Sequence, residues 1–361
     1  MNSDILLHLM RQWLVYLEVM GGAMDIAVVI LTKDEKLHIG RCLERVAALS
    51  PRQIFVVDCF STDGTQRIVE EWKSGGVGEW RSGGGGTAAE FRCRALEKVE
   101  KAPRLMPLAE AVETVVHRQV AAGSNPSTQG NIPNAVAERK GGCLVLLEHE
   151  WPGNQAAQFQ WAIENLPIES KWILRLDADE YLTDELIMEI KYKLSQLDDD
   201  VDGVILKRRH VVGWLGNRWI KRGMYPTKIL RLFRKGYGRS DMKIMDEHIV
   251  VQRGVVEFKH DFVDHSLISF EEWKEKHRNY AKREAQSYLS GERSMGEKAA
   301  KKDAYYKLPR YFRAVAYFCI RYFLKLGFLD GVAGFRWHFW QGLWYRWIVD
   351  RVLGRMKREG F

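Results

Sequence analysis

The chain has little of what makes a sequence easy to classify. Its five cysteines, Cys42, Cys59, Cys93, Cys143 and Cys319, are scattered, odd in number and form no C-x-x-C pair. That argues against a disulfide framework or a structural zinc site and fits a reducing compartment. No uninterrupted apolar stretch reaches the ~20 residues a bilayer-spanning helix needs. Residues 1–23 contain an apolar segment, but its start has Asp4 and no Lys or Arg. Arg11 interrupts it and no small-residue cleavage site follows, so a signal peptide is not expected. An amphipathic helix is expected there instead, with Met24 an alternative start. Gly83-Gly-Gly-Gly86 follows no strand and fits neither G-x-G-x-x-G nor G-x-x-x-x-G-K-[ST], which rejects a nucleotide loop at that place. A basic excess is also missing from most of the molecule. Of the net +8, residues 309–361 carry +7, and everything before them is nearly neutral. This argues against nucleic acid as a partner.

What is present is a globular composition, 46% hydrophobic and 28% charged over 361 residues, enough for one large domain or two ordinary ones. An α/β rhythm starts at Asp25. Residues 26–31 read as a buried parallel strand, 36–49 as a helix, 53–58 as a second strand and 66–72 as a helix. This order implies a parallel sheet with right-handed crossovers. Residues 77–142 break the rhythm with tetraglycine and Ser/Asn/Pro/Gln-rich sequence. They read as an insertion, mostly disordered, between the helix ending at Trp72 and a third strand at 143–148. A helix over 153–166, a strand in the stretch from Lys171 that stops at Asp177 and Asp179, and a helix over 184–197 follow. Strands at 203–207 and 227–233 and a hairpin over 250–257 make the second half more antiparallel and mixed. A charged helix over 269–289 leads to the C-terminal region.

The most informative stretch is Lys171-Trp-Ile-Leu-Arg-Leu-Asp-Ala-Asp-Glu180. A buried strand stops at two aspartates one residue apart, at the sheet end where open α/β folds bind ligands. Residues two apart in an extended chain point the same way. Asp177 and Asp179 can therefore meet one divalent cation, and hard cations such as Mg²⁺ or Mn²⁺ take oxygen ligands. The tripeptide alone suits an acidic helix start equally well.

Residues 26–35, Val56-Val-Asp-Cys-Phe-Ser-Thr-Asp-Gly-Thr65 and Leu176-Asp-Ala-Asp-Glu180 together resemble the family 2 glycosyltransferases of the GT-A fold. Trp151-Pro-Gly153, Gln160-Trp-Ala-Ile163, Arg231-Leu-Phe-Arg234 and Tyr322-Phe-Leu-Lys-Leu-Gly-Phe-Leu-Asp330 resemble, more narrowly, bacterial lipopolysaccharide core β-1,4-glucosyltransferases. The resemblance covers about 24–76 and 143–350. It implies a Rossmann-like α/β domain over 24–265, interrupted at 77–142, and a helical membrane-associating region over 266–361. It also implies inverting transfer of a hexose from a UDP-sugar to a lipid-linked glycan, with Mg²⁺ or Mn²⁺ neutralising charge on the leaving diphosphate.

By the same resemblance Asp179 is the direct metal ligand and Asp177 lies near the ribose or metal. Asp58 accepts from the nucleobase N–H, and Thr32 and Glu35 line the same pocket. A helix cap is the competing role for Asp58, but Ser61 and Asp63 already offer caps. The general base is Glu247 or its neighbour Asp246; adjacent strand residues face opposite ways, so one of the two reaches the acceptor. His210, His260 and His265 show no metal-ligand spacing and are expected in core or surface roles. Residues 309–361 interleave fifteen aromatics with ten basic residues. This suits amphipathic helices on an anionic membrane surface, with a helical cap packed on the body as the competing reading. The expected location is therefore peripheral, on the cytoplasmic face of the cell membrane. Other readings left open are transfer to polyprenyl phosphate, a basic nucleic-acid-binding module and a catalytically inactive homologue.

Overall fold

The computed structural model describes residues 22–74, 143–242, 247–291 and 304–359. The N-terminal extension, the insertion at 77–142 and Asp246 lie outside the described residues.

The first half follows the sequence closely. Strand β1 (Met24–Thr32) is flanked by β2 (Pro51–Asp58) and β4 (Trp172–Asp177), both parallel to it, and β3 (Cys143–Glu148) lies outside β2. Continuous apolar runs form these strands because both faces of the sheet are covered. Ile26, Val28 and Ile30 face α1 (Ile39–Leu49) and share a core with its Ile39, Leu43 and Val46. Ala27, Val29 and Leu31 point the other way, toward Phe159 and Ala162 of α3 (Gln155–Asn165). The spacing of buried residues in α1 follows one helical face. Helix α2 (Thr65–Ser74) ends just before the segment at 77–142, and β3 resumes the sheet beside β2 after it.

The second half is mixed, as expected, but its details differ from the sequence reading. After β4 come a short β5 (Glu180–Leu182), α4 (Asp184–Lys193), β6 (Val201–Val212), β7 (Arg218–Trp219) and β8 (Thr227–Arg234). Strands β9 (Gly238–Ser240), β10 (Ile249–Val251) and β11 (Gly254–Ser266) follow. The main sheet runs β3-β2-β1-β4-β8-β6-β11-β5, with β8 antiparallel to both neighbours and β11 parallel to β6. The expected hairpin over 250–257 does not form. Ile249–Val251 pairs with Gly238–Ser240 in a small separate sheet, and β11 joins β6 along its length. Gly254 is where the chain leaves one sheet for the other; its N–H donates to the Asp200 carbonyl (2.9 Å).

Helix α5 (Phe270–Leu289) starts at a capping box, with Ser269 and Glu272 exchanging hydrogen bonds. It carries the C-terminal region: α6 (Phe312–Cys319), continued by a π-helical turn at Ile320–Leu324, then α7 (Gly331–Trp337), joined to α8 (Tyr345–Met356) through a π-helical stretch at His338–Trp344. Trp273 of α5 packs with Trp337, Val212, Leu215 and Ile220, while Tyr345 and Val349 of α8 meet Ala281. Part of the aromatic content thus builds a cap on the α/β body. Among the described residues no helix is long and apolar enough to cross a membrane.

Candidate active site

Three adjacent parallel strands finish in register. Thr32 stands opposite Asp58 on one side, and Leu31 stands opposite Asp177 on the other. The loops after β1 and β2 are tied together. The Asp34 N–H donates to Ser61 Oγ (2.7 Å), the Thr62 N–H to Asp34 Oδ1 (2.8 Å) and the Glu35 N–H to Thr65 Oγ1 (2.8 Å). Asp34 and Phe60 both hold positive φ (54° and 56°), a conformation costly for non-glycine residues. The Phe60 carbonyl accepts from Lys33 Nζ (2.6 Å), and its ring is exposed.

Asp58 is fully buried and mostly engaged by its own turn. Its carboxylate accepts from the Ser61 N–H (2.7 Å), Ser61 Oγ (2.5 Å) and Gln66 Nε2 (2.7 Å), and Gln66 also reaches Glu148 (2.8 Å). Any ligand N–H must share those oxygens. Thr32 is buried too, and its Oγ1 has no hydrogen-bond partner. Glu35 accepts from His38 Nδ1 (2.5 Å). His38 Nε2 accepts the Leu267 N–H (2.8 Å), which places the imidazole proton on Nδ1.

At the end of β4 the charges form a chain. Arg231 of β8 bridges Asp177 Oδ2 (3.1 Å) and Glu180. Arg175, two residues before Asp177 and so on the same face of β4, reaches Glu247 Oε1 at 2.5 Å and lies 3.6 Å from Asp177 Oδ1. Its guanidinium sits over the Phe159 ring and its Nε has no partner. Burial alone would raise the Asp177 pKa, but Arg231 and Arg175 hold it below the usual carboxylate range. Asp177 Oδ1 is buried without a hydrogen bond. Asp179 differs. Burial and the nearby Asp264 push its carboxyl up to about 6, with Lys276 of α5 pulling the other way. Asp264 is paired with Arg208 (3.4 Å) and lies 3.1 Å from His210 Nδ1.

His265 is set between Arg41 and Asn217. Arg41 can only donate, so His265 Nδ1 accepts from it (2.8 Å) and Nε2–H donates to Asn217 Oδ1 (2.8 Å). Burial and the Arg41 charge push its pKa down to about 4. His265 and His210 therefore sit at the site end of β11 and β6, while His260 pairs with Glu189 (2.9 Å) away from it.

Among the described residues no three acidic, His or Cys side chains converge as a ready metal cage. The donors present do suit a hard divalent ion completed by other ligands. Asp177 offers a buried oxygen without a hydrogen bond, and Asp179 a second carboxylate two residues on. Mg²⁺ and Mn²⁺ sites built from one or two carboxylates plus phosphate and water have this makeup.

The structure thus brings Thr32, Glu35, Asp58, Asp177 and Asp179 to one end of the sheet and links Glu247 to Asp177 through Arg175. The sequence reading missed Arg175, Glu180 and Asp264. Arg175 left a signal, a charge inside an otherwise apolar strand. The other two depend on strand pairings that no local pattern announces.

No family model and no curated protein matches the chain. Solved structures do. The mannosyltransferase PcManGT from Pyrobaculum calidifontis, in complex with GDP-Man and Mn²⁺, is 14% identical, with 98% of this chain and 94% of that one covered at a TM-score of 0.41. S. aureus TarS 1–349 in complex with UDP-GlcNAc is 13% identical, with 94% and 93% covered at a TM-score of 0.37.

Proposed function

We propose that this chain is a metal-dependent, inverting glycosyltransferase that moves a hexose, in the first instance glucose, from a UDP-sugar to lipopolysaccharide core or a related lipid-linked glycan. One observation carries the reading: Thr32 Oγ1 and Asp177 Oδ1, buried without hydrogen bonds, stand beside Asp58 and Asp179 at neighbouring strand ends, with Arg175 3.6 Å from the Asp177 oxygen. A buried polar atom without a partner costs about 1–3 kcal/mol, and a ligand that supplies the partner recovers it. A nucleoside diphosphate with a divalent ion would supply both, through its hydroxyls and the ion.

In this reading Asp58 offers the base an acceptor that it shares with Ser61 and Gln66, and Thr32 and Glu35 line the pocket. Asp179 and Asp177 would hold the ion, which would supply charge neutralisation for the departing diphosphate. Arg231 keeps the other Asp177 oxygen fixed. Glu247, or Asp246 beside it, takes the proton from the acceptor hydroxyl. With Oε1 of Glu247 held by Arg175, its Oε2 is the oxygen free for that task. Residues 309–361 would bring the enzyme to the cytoplasmic face of the membrane, where a lipid-linked acceptor is presented.

The test is transfer from UDP-glucose to a truncated lipopolysaccharide acceptor with Mg²⁺ or Mn²⁺, in wild type and Asp179→Ala. Metal-dependent transfer undiminished in the variant would overturn the reading. Turnover on polyprenyl phosphate alone would redirect it to the other acceptor.

A further inference from the structure

The C-terminal cap has a face left largely exposed, its Phe323 and Phe328 rings touching only neighbouring Phe318 and Tyr322 among the ring contacts of the described residues. Between α6 and α7 the chain makes a tight excursion whose side chains point outward. Leu324 and Val332 are 76% and 77% exposed, and Phe323 and Leu329 54% and 56%, with Leu326 and Phe328 exposed beside them. Large exposed apolar residues of the α/β body are more scattered, such as Leu37, Tyr192 or Val255, while Phe312, Val315 and Ile320 lead up to the excursion along α6. A contiguous apolar patch of this kind marks an interaction surface.

The excursion is held rigidly from below. The Arg222 N–H donates to Asp330 Oδ2 (2.8 Å) and the Gly223 N–H to the Lys325 carbonyl (3.2 Å). His338 fills the gap between Gly223 and Gly327, where a Cβ on either glycine would come within about 2.5 Å of its ring. Buried Arg321 adds bonds to Gln341 and to Tyr317 Oη (3.3 Å). The apolar tip is therefore a fixed shape whose outward side chains are exposed by construction.

Its charges favour one occupant. The cations at the excursion and just after it, Lys325 and Arg336, are exposed, and the one acid, Asp330, is spent on the Arg222 N–H. A ring of Phe, Leu and Val with flanking cations matches the acyl boundary and headgroups of an anionic bilayer. The anchoring loop at Arg222 and Gly223 leads into β8, whose first residues pair with the end of β6. The tip is thus fastened at the same end of the sheet as the candidate site.

We infer that residues 323–335 are a wedge that inserts into an anionic membrane leaflet and sets the candidate site toward it. The inference rests on the membrane-facing part of the proposed function and narrows it. Insertion is by this tip, not by α8, whose Tyr345, Val349 and Leu353 face are buried in the molecule.

The experiment is flotation of the full chain with vesicles of phosphatidylglycerol and phosphatidylcholine (1:1), without nucleotide, so that it reads membrane binding independently of transfer. Leu324→Asp with Val332→Asp is expected to weaken partitioning about tenfold or more. Lys325→Glu with Arg336→Glu is expected to weaken it less and to flatten its salt dependence. Leu37→Asp, a comparably exposed residue elsewhere, should leave it unchanged. Circular dichroism and binding of UDP by calorimetry should match wild type in all variants. Failure of wild type to float, equal flotation of the Leu324/Val332 variant, or a loss of self-association in that variant by ultracentrifugation would overturn the inference. UDP binding that persists in those cases would leave the transferase reading standing.

Discussion

At the amino end of β4 a cavity of about 400 Å³ is lined by Lys171, Arg234, Lys235 and Arg253 together with Glu169 and Asp199. Its charges serve the protein. Arg234 donates to the Val201 (2.6 Å) and Asp198 (2.8 Å) carbonyls and stacks on Trp172, Lys235 caps the Ile168 carbonyl, and Arg253 grips Asp202 (2.6 Å). At the carboxyl end the same residue types are left short. Thr32 Oγ1, Asp177 Oδ1 and the Nε atoms of Arg175, Arg208 and Arg231 are buried without hydrogen bonds. Both ends are polar and partly enclosed. What separates them is whether the polar groups are satisfied. Unmet hydrogen-bonding capacity, which folding alone would not select, points to the end where a ligand completes it.

The strongest way to break this contrast is Asp179→Asn. If the carboxyl end is built for a ligand, transfer should fall about 10³-fold or more. Thermal stability should hold or rise, because a carboxyl pushed up to about 6 by burial and Asp264 is a poor place for a charge. A variant that loses stability and keeps activity would make this end structural.

Arg175 sharpens the comparison by one step. It touches no substrate in the proposed reading, and acts by holding Glu247 (2.5 Å) near Asp177. Arg175→Met should lower kcat about 10²-fold with the donor KM little changed. Arg175→Lys should recover part of the rate, and Arg175→Met added to Glu247→Gln should cost little beyond Glu247→Gln alone. Full additivity in that pair would mean that Arg175 serves only the fold.

The amino end gives the mirror case. Arg234→Met leaves two carbonyls without their charged donor and should destabilise the protein by about 2 kcal/mol, read as the unfolding free energy in urea. Activity per folded molecule should be unchanged, since Arg234 faces away from the aspartates. A selective loss of turnover there would give the basic cavity a role in the reaction.

The contrast also explains what the sequence disclosed. The ends of β1, β2 and β4 were readable because strands covered on both faces are unbroken apolar runs, and the runs stop at Thr32, Asp58 and Asp177. Strand β11 was hidden. Lys259, His260, Asp261, Asp264 and His265 interrupt it, so its second half carries no apolar run, and its first residues look like half of a hairpin. Its register against β6 is what delivers Asp264 and His265 to the site. The role of Asp58 changed in emphasis. Ser61 and Asp63 were expected to make the caps, yet Ser61 spends its donors on Asp58 itself.

His265 offers the smallest effect and the one most specific to the carboxyl end. Its folded pKa is near 4, below the usual ~6.5 of an exposed imidazole, because burial and Arg41 disfavour the charged ring. Protonation therefore favours the unfolded chain. The stabilisation is fully present above about pH 6.5 and is lost progressively as pH falls toward 4. Between pH 7 and 5.5 the loss amounts to about 1 kcal/mol, from the difference in proton binding between the two states. His265→Asn, which removes the titrating ring, should leave a flatter stability curve between pH 7 and 5.5, measured by urea unfolding at each pH. His277 and His338, also pushed down to about 4 by burial, remain in both proteins and set a common background. If the two curves run parallel through that window, His265 is not held neutral by Arg41, and the Arg41–His265–Asn217 arrangement does not couple the site end of β11 to α1.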